Sequence, residues 1–209
     1  MNASLIRMVM VDDHLALLDS FHKDFNAENG FDVVAKLASA DEVDEVCRRL
    51  RPALVLMDVC TEGGASGLDA LARLRTEFPD MKILMMSGFN EMTYVPRARE
   101  LGAHGFLFKS RSFDLFMEAA RGVFEGNTYF PEPRVILSAN GEAPFTEREF
   151  EILRLLCRKK SRTEIAESLS ITPGTVKRHI DNMREKGSFD STMDMVVHVV
   201  AKGWINPDF

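Results

Sequence analysis

Residues 8–14 read Met8-Val9-Met10-Val11-Asp12-Asp13-His14, four apolar residues that stop abruptly at two acids. An apolar run without alternation suits a strand buried on both faces, and such strands belong to parallel sheets covered by helices. Working outward, the same texture returns at 32–37 and at 54–58, which reads Leu54-Val55-Leu56-Met57-Asp58. It returns again at 82–87, ending Met85-Met86-Ser87, and at 105–109 as Gly105-Phe106-Leu107-Phe108-Lys109. Strands are expected over 6–11, 32–37, 54–57, 82–87 and 105–108. Between them, apolar residues at helical spacing predict helices over about 14–28, 41–50, 67–78, 91–101 and 112–126. Five βα units within residues 1–126 make one doubly wound α/β domain around a five-stranded parallel sheet. Polar residues at the carboxyl ends of its strands carry the functional information.

After that the texture changes. Gly126, Asn127, Pro131, Pro133, Asn140, Gly141 and Pro144 crowd a stretch of little periodicity, which reads as a linker over 127–144. Thr146 followed by Glu149 has the spacing of a capping box and opens a helix to about residue 159. Helices over about 161–169, 173–186 and 192–203 follow, the second of these with Thr172 as cap and Pro173 in its first turn. The third part, 145–209, is thus a small all-α domain of four helices.

The bulk properties agree with a two-domain protein. The chain has 209 residues, 45% of them hydrophobic. Its apolar-rich runs, such as 53–57 and 193–201, are far too short to span a bilayer, and the N-terminus has no apolar signal core. No membrane association is expected, and a cytoplasmic location is. Cys47, Cys60 and Cys157 are odd in number and far apart, which argues for reduced thiols over a disulfide framework or a paired metal site. The net charge of −6 is unevenly spread. Residues 1–126 hold 14 Lys and Arg against 20 Asp and Glu, whereas 127–209 hold 12 of each. Within 154–186 nine basic residues face four acidic ones, a local excess that can meet a polyanion or simply solvate a helix face.

The strand ends supply the chemistry. Asp12 and Asp13 follow the first strand and Asp58 ends the third; with a 2-1-3-4-5 strand order these strands are neighbours, so three carboxylates converge. Converging carboxylates need a cation, and an all-oxygen set suits Mg2+. Ser87 ends the fourth strand and Lys109 follows the fifth, adding a hydroxyl and an ammonium at the same rim. A carboxylate nucleophile, a metal, a hydroxyl donor and a fixed positive charge together can accept and neutralise a phosphoryl group.

The runs 8–14, 54–58, 85–88 and 105–110 closely resemble the motifs of the response-regulator receiver domain, over about residues 5–126. The resemblance implies a flavodoxin-like (βα)5 fold in which Asp58 is the phosphoacceptor and Asp12 and Asp13 hold Mg2+. The main-chain carbonyl of Cys60 would be a further metal ligand, Lys109 the phosphoryl-pairing lysine, Ser87 the switch hydroxyl and Phe106 the switch aromatic. For Phe106 a plain core role is an equal alternative. After Asp58 the stretch Val59-Cys60-Thr61-Glu62-Gly63-Gly64-Ala65-Ser66-Gly67 departs from the family pattern: it lacks the usual proline and is one residue longer.

Residues 145–156 and 162–180 resemble the LuxR-type helix-turn-helix of the NarL/FixJ response regulators. Ile165, Ala166, Leu169, Ile171, Val176 and Ile180 are expected to pack the motif, and the helix over 173–186 to enter the major groove of double-stranded DNA. Thr175, Lys177, Arg178 and Asp181 would then point outward, Lys177 and Arg178 within reach of guanine or phosphate and Asp181 of a cytosine amino group, with Thr172, Arg184 and Lys186 near phosphates. The resemblance also implies a sensor histidine kinase as phosphodonor and a homodimer through the apolar last helix, its formation open to control by phosphorylation. The turn at Gly187 departs from the family's longer form. The function expected is phosphorylation-controlled regulation of transcription, without turnover of a substrate. Two rivals stay open: a Mg2+-dependent phosphohydrolase with Asp58 as nucleophile, and a signalling protein whose helix-turn-helix contacts protein only.

Overall fold

The computed structural model describes residues 5–26, 29–88, 94–131, 145–202 and 204–205. They form two compact units, one ending at Pro131 and the other within 145–205.

The first unit is a five-stranded parallel sheet of order β2-β1-β3-β4-β5. Its strands are β1 (Ile6–Val11), β2 (Phe31–Leu37), β3 (Leu54–Asp58), β4 (Lys82–Ser87) and β5 (Gly105–Phe108). Helices α1 (Leu15–Asp24), α2 (Val43–Leu50), α3 (Gly67–Glu77), α4 (Tyr94–Glu100) and α5 (Phe113–Phe124) connect or follow them. Alternate residues of each strand face opposite sides. Met8, Met10, Leu54, Leu56, Leu84, Met86 and Leu107 join Leu18, Phe21 and Phe25 of the α1 region and Phe116, Ala119 and Val123 of α5 in one buried cluster. Their neighbours Val9, Val11, Val55, Met57, Ile83, Met85 and Phe106 are buried as completely on the other side. Burial on both faces is why these strands read as unbroken apolar runs.

Two elements differ from expectation for local reasons. The first helix stops at Asp24, not near 28: the Asn26 and Asn29 side-chain amides donate to the Lys23 and Asp24 carbonyls at 2.7 and 2.6 Å. The second begins at Val43, after a 3-10 turn over Ala40–Glu42 capped by the Ser39 hydroxyl. The stretch 127–131, read as linker, packs on the receiver edge. The Phe106 amide donates to the Tyr129 carbonyl at 2.6 Å, and Tyr129 returns a bond to the His104 carbonyl at 3.1 Å. The Arg99 guanidinium stacks over the Phe130 ring at 4.1 Å. The remaining linker residues, including Pro133, Asn140, Gly141 and Pro144, lie outside the described residues.

The second unit holds α6 (Glu147–Cys157), α7 (Arg162–Ser168), α8 (Pro173–Gly187) and α9 (Thr192–Ala201). Capping boxes open α6 and α7, through Thr146 with Glu149 and Ser161 with Glu164. The buried faces of the helices share one core containing Ile152, Leu153, Ile165, Ala166, Val176, Ile180, Met195 and Val199. Among the described residues no helix is long and apolar enough to cross a membrane.

Candidate functional site

Parallel strands present their carboxyl ends at one edge, so the tops of β1, β3, β4 and β5 meet there. Asp12 follows β1, held by its amide on the Leu37 carbonyl at 2.9 Å; Lys109 follows β5, held by its amide on the Ser87 carbonyl at 2.8 Å. Asp12 and Ser87 are fully buried, Asp58 is 4% exposed and Asp13 is exposed. Oxygens of Asp12, Asp13 and Asp58 lie within 4.8 Å of one another. Between the buried two sits the Lys109 ammonium, 2.7 Å from Asp58 Oδ2 and 2.9 Å from Asp12 Oδ1. Phe106, on the strand leading to Lys109, is wholly buried and packs edge-on against Phe108 at 5.5 Å.

The electrostatics follow from this crowding. Burial pushes the Asp58 carboxyl up to about 7, with Asp12 and Asp13 adding to the rise and Lys109 opposing it. Burial alone would lower Lys109, but the carboxylates of Asp58 and Asp12 outweigh it and hold the ammonium protonated. One cation for three acids leaves the cluster short of positive charge. Asp12 Oδ2 is buried without a hydrogen bond of regular geometry, although Lys109 Nζ lies 2.8 Å away. A hard oxygen set, one of whose buried oxygens lacks a regular hydrogen bond, fits a divalent cation of the Mg2+ type, which Asp12, Asp13 and Asp58 would hold.

The loop after Asp58 holds residues that the sequence reading passed over. A Cβ on Gly67 would collide with the Asp58 carbonyl, so only glycine fits where α3 starts beneath Asp58. Gly63 and Gly64 turn the loop at φ 72° and 77°, a region that favours glycine. Thr61 is 5% exposed and bonded on both sides, and the Cys60 thiol lies 3.4 Å from the Tyr94 hydroxyl of α4. The run of glycines signalled a turn; nothing local marked Thr61 or Tyr94 as buried near Asp58.

In the second unit, Thr172 caps α8 by accepting from the Thr175 amide at 3.1 Å, and the two hydroxyls are 2.9 Å apart. Lys177, Arg178 and Asp181 are exposed along the helix that follows. Lys186 has a partner that the sequence reading did not anticipate: its ammonium is 2.8 Å from both carboxylate oxygens of Glu149, itself 2% exposed. Arg184 donates to the Asp190 carbonyl. Both side chains thus have partners within the unit, while the Lys186 side chain stays 41% exposed. At its C-terminus a Cβ on Gly187 would strike the Phe189 ring, which packs on His198 at 5.2 Å and closes the shortened turn. On α9, Met193 and Val197 are 70% and 59% exposed.

A sheet of this order with this acid-lysine cluster, joined to a helix-turn-helix unit, defines a class of regulatory protein. The response regulator receiver domain matches residues 8–121, and the luxR family of bacterial regulatory proteins matches residues 143–199. The chain belongs to the response regulators that join a receiver to a LuxR-type DNA-binding domain, a group that regulates transcription. It is 29% identical to the transcriptional regulatory protein MctR of Rhizobium johnstonii over 96% of each chain. It is equally similar, at 29%, to the oxygen regulatory protein NreC of Staphylococcus aureus, over 94% of this chain and 98% of that one. Among solved structures, RcsB of Salmonella enterica bound to a promoter in the presence of a phosphomimetic superposes with a TM-score of 0.65 at 18% identity, covering 93% of this chain and 97% of RcsB. That likeness shows the fold alone.

Proposed function

We propose that Asp58 accepts a phosphoryl group from a sensor histidine kinase in a Mg2+-dependent reaction, and that this modification governs dimerisation and sequence-specific DNA binding. The observation that carries the reading is the Lys109 ammonium bonded at once to Asp58 and Asp12, with Asp13 beside them. An Asp58 carboxylate oxygen attacks phosphorus, the bond from phosphorus to the kinase's imidazole nitrogen breaks with its electron pair left on nitrogen, and that nitrogen takes up a proton from solvent water. Lys109 then pairs with a phosphoryl oxygen and the Ser87 hydroxyl donates to another. A divalent cation held by Asp12, Asp13, Asp58 and the Cys60 carbonyl supplies charge screening between the acids and the incoming phosphoryl oxygens.

Downstream, α8 presents Thr175, Lys177, Arg178 and Asp181 for the major groove of double-stranded DNA, with Thr172 at its N-terminus. Met193 and Val197, four residues apart on α9, form the apolar strip for a second copy. Turning of Ser87 toward the phosphoryl group, with Phe106 following, links the site to the β5 edge. The test is intact-mass spectrometry after incubation with Mg2+ and a small phosphodonor. A single phosphoryl adduct is expected in the wild type and none in Asp58→Asn or in the presence of a chelator. An adduct that survives Asp58→Asn would remove the reading.

A further inference from the structure

Thr61 carries no charge and ligates nothing, yet it is buried in the loop that leaves the acceptor. Its hydroxyl accepts from the Ala40 amide at 2.9 Å and donates to the Ala65 carbonyl at 3.0 Å. Its own amide donates to that same carbonyl at 3.2 Å, and the Gly67 amide donates to the Val59 carbonyl at 2.8 Å. These last two bonds make the antiparallel bridge between Cys60 and Ser66. They use the backbone groups of Val59, Thr61, Ala65 and Gly67.

A trans peptide is planar, with its N–H and C=O pointing in opposite directions. The Thr61 N–H and the Cys60 C=O belong to one such plane. Seating the N–H on Ala65 therefore sends the Cys60 carbonyl out on the side opposite Ala65. No proline stiffens this loop, and Gly63 and Gly64 loosen it further. Ala40, in contrast, is wholly buried just beyond β2. The Thr61 hydroxyl ties the loose segment to that fixed point.

We propose that Thr61 is a positioning residue for the divalent cation: its hydroxyl locks the Cys60–Thr61 peptide so that the Cys60 carbonyl is preset as the neutral ligand beside Asp12, Asp13 and Asp58. The proposal rests on the reading of that cluster as a Mg2+ site. Mg2+ demands near-ideal geometry, so a peptide free to swing lowers affinity even when every ligand remains. Partners that orient metal ligands contribute about 10- to 100-fold in affinity.

The experiment compares the full-length wild type with Thr61→Val, which keeps the volume and removes the hydroxyl, and Thr61→Ser, which keeps the hydroxyl. Mg2+ affinity is measured by calorimetric titration with MgCl2. The rate of phosphorylation by a small phosphodonor is followed against Mg2+ concentration, and thermal melting without Mg2+ reports stability. Thr61→Val is expected to weaken Mg2+ binding about tenfold, with Thr61→Ser restoring most of it. The Mg2+ concentration for half-maximal phosphorylation should rise by the same factor, while the rate at saturating Mg2+ stays within about twofold of wild type. A Thr61→Val protein that melts earlier but binds Mg2+ as the wild type does would overturn the proposal. Should Thr61→Val fail to fold, Thr61→Cys, of similar volume and with only a weak donor, carries the same comparison. Mg2+ binding that is absent from the wild type, or unchanged in Asp13→Asn, would instead overturn the reading of the acid cluster and the proposal with it.

Discussion

Burial raises the Asp58 carboxyl to about 7 although the Lys109 ammonium lies 2.7 Å away. At neutral pH the Asp58 carboxyl is therefore partly protonated, and a divalent cation binding there, as proposed above, would have to displace that proton. The direction is set by the sign of the shift: below pH 7 proton and cation compete, above it they do not. Mg2+ affinity should fall about tenfold for each pH unit below 7 and level off above it. Titration calorimetry across pH 5.5 to 8.5, a range chosen to bracket that value, reads this directly. In Lys109→Met the ammonium that holds the carboxyl down is gone, so the bend in the curve should move to higher pH. A bend that stays in place would mean that Lys109 does not govern Asp58. The residues that stand at this strand edge, Asp12, Asp13, Asp58, Ser87 and Lys109, were all legible in the sequence. Each ends or follows an apolar strand, and parallel strands bring their ends to one edge. Thr61 was not legible, because an uncharged residue in a loop shows its burial only once another segment, here the one at Ala40, closes over it.

At the scale of elements, one buried acid links α6 and α8 in addition to the apolar core that they share. Glu149 closes the capping box of α6 through the Thr146 amide at 2.7 Å and reaches across to Lys186 of α8. Glu149→Gln keeps the shape but sets an amide against an ammonium, and should destabilise the C-terminal unit by about 2 kcal/mol, read by chemical denaturation. The receiver should be unaffected. The capping box was visible in the spacing of Thr146 and Glu149; its cross-helix partner was not, since an i to i+37 pairing has no local signature. A second element-scale case is the strip after α5. A Cβ on Gly105 would lie 2.7 Å from Leu84 and 2.8 Å from the Tyr129 carbonyl. Gly105→Ala should displace the Tyr129 pairing and lower receiver stability by about 1–3 kcal/mol in the same denaturation experiment. Asn127 and Pro131 gave 127–131 the texture of a linker because turn-forming residues look alike whether or not the backbone between them finds a strand to pair with.

For the whole molecule, the two buried clusters share no residue. Each unit should therefore unfold in its own transition, and Mg2+ should raise the melting temperature of the receiver alone, because a ligand stabilises only the unit that binds it. Differential scanning calorimetry of the wild type and Asp58→Asn tests this; a Mg2+-dependent shift of both transitions would show the units to be energetically coupled. Charge divides the same way. The acidity of the chain resides in 1–126, leaving the helix-turn-helix half balanced overall and basic along 154–186. Specific DNA binding should weaken with salt, and Lys177→Ala or Arg178→Ala should each reduce the slope of log affinity against log salt by about one if the side chain contacts phosphate.

The sequence by itself determined the order and type of the elements, the strand ends that carry the acid cluster, and the helix-turn-helix motif. Those features follow from periodicity and from parallel topology, both of which are written locally. Only the tertiary structure decided which charges pair across the fold, as Lys186 does with Glu149, and which neutral residues pack around Asp58, as Thr61 and Gly67 do. These depend on segments far apart in the chain meeting at hydrogen-bond distance, and no pattern of neighbours along the sequence encodes that meeting.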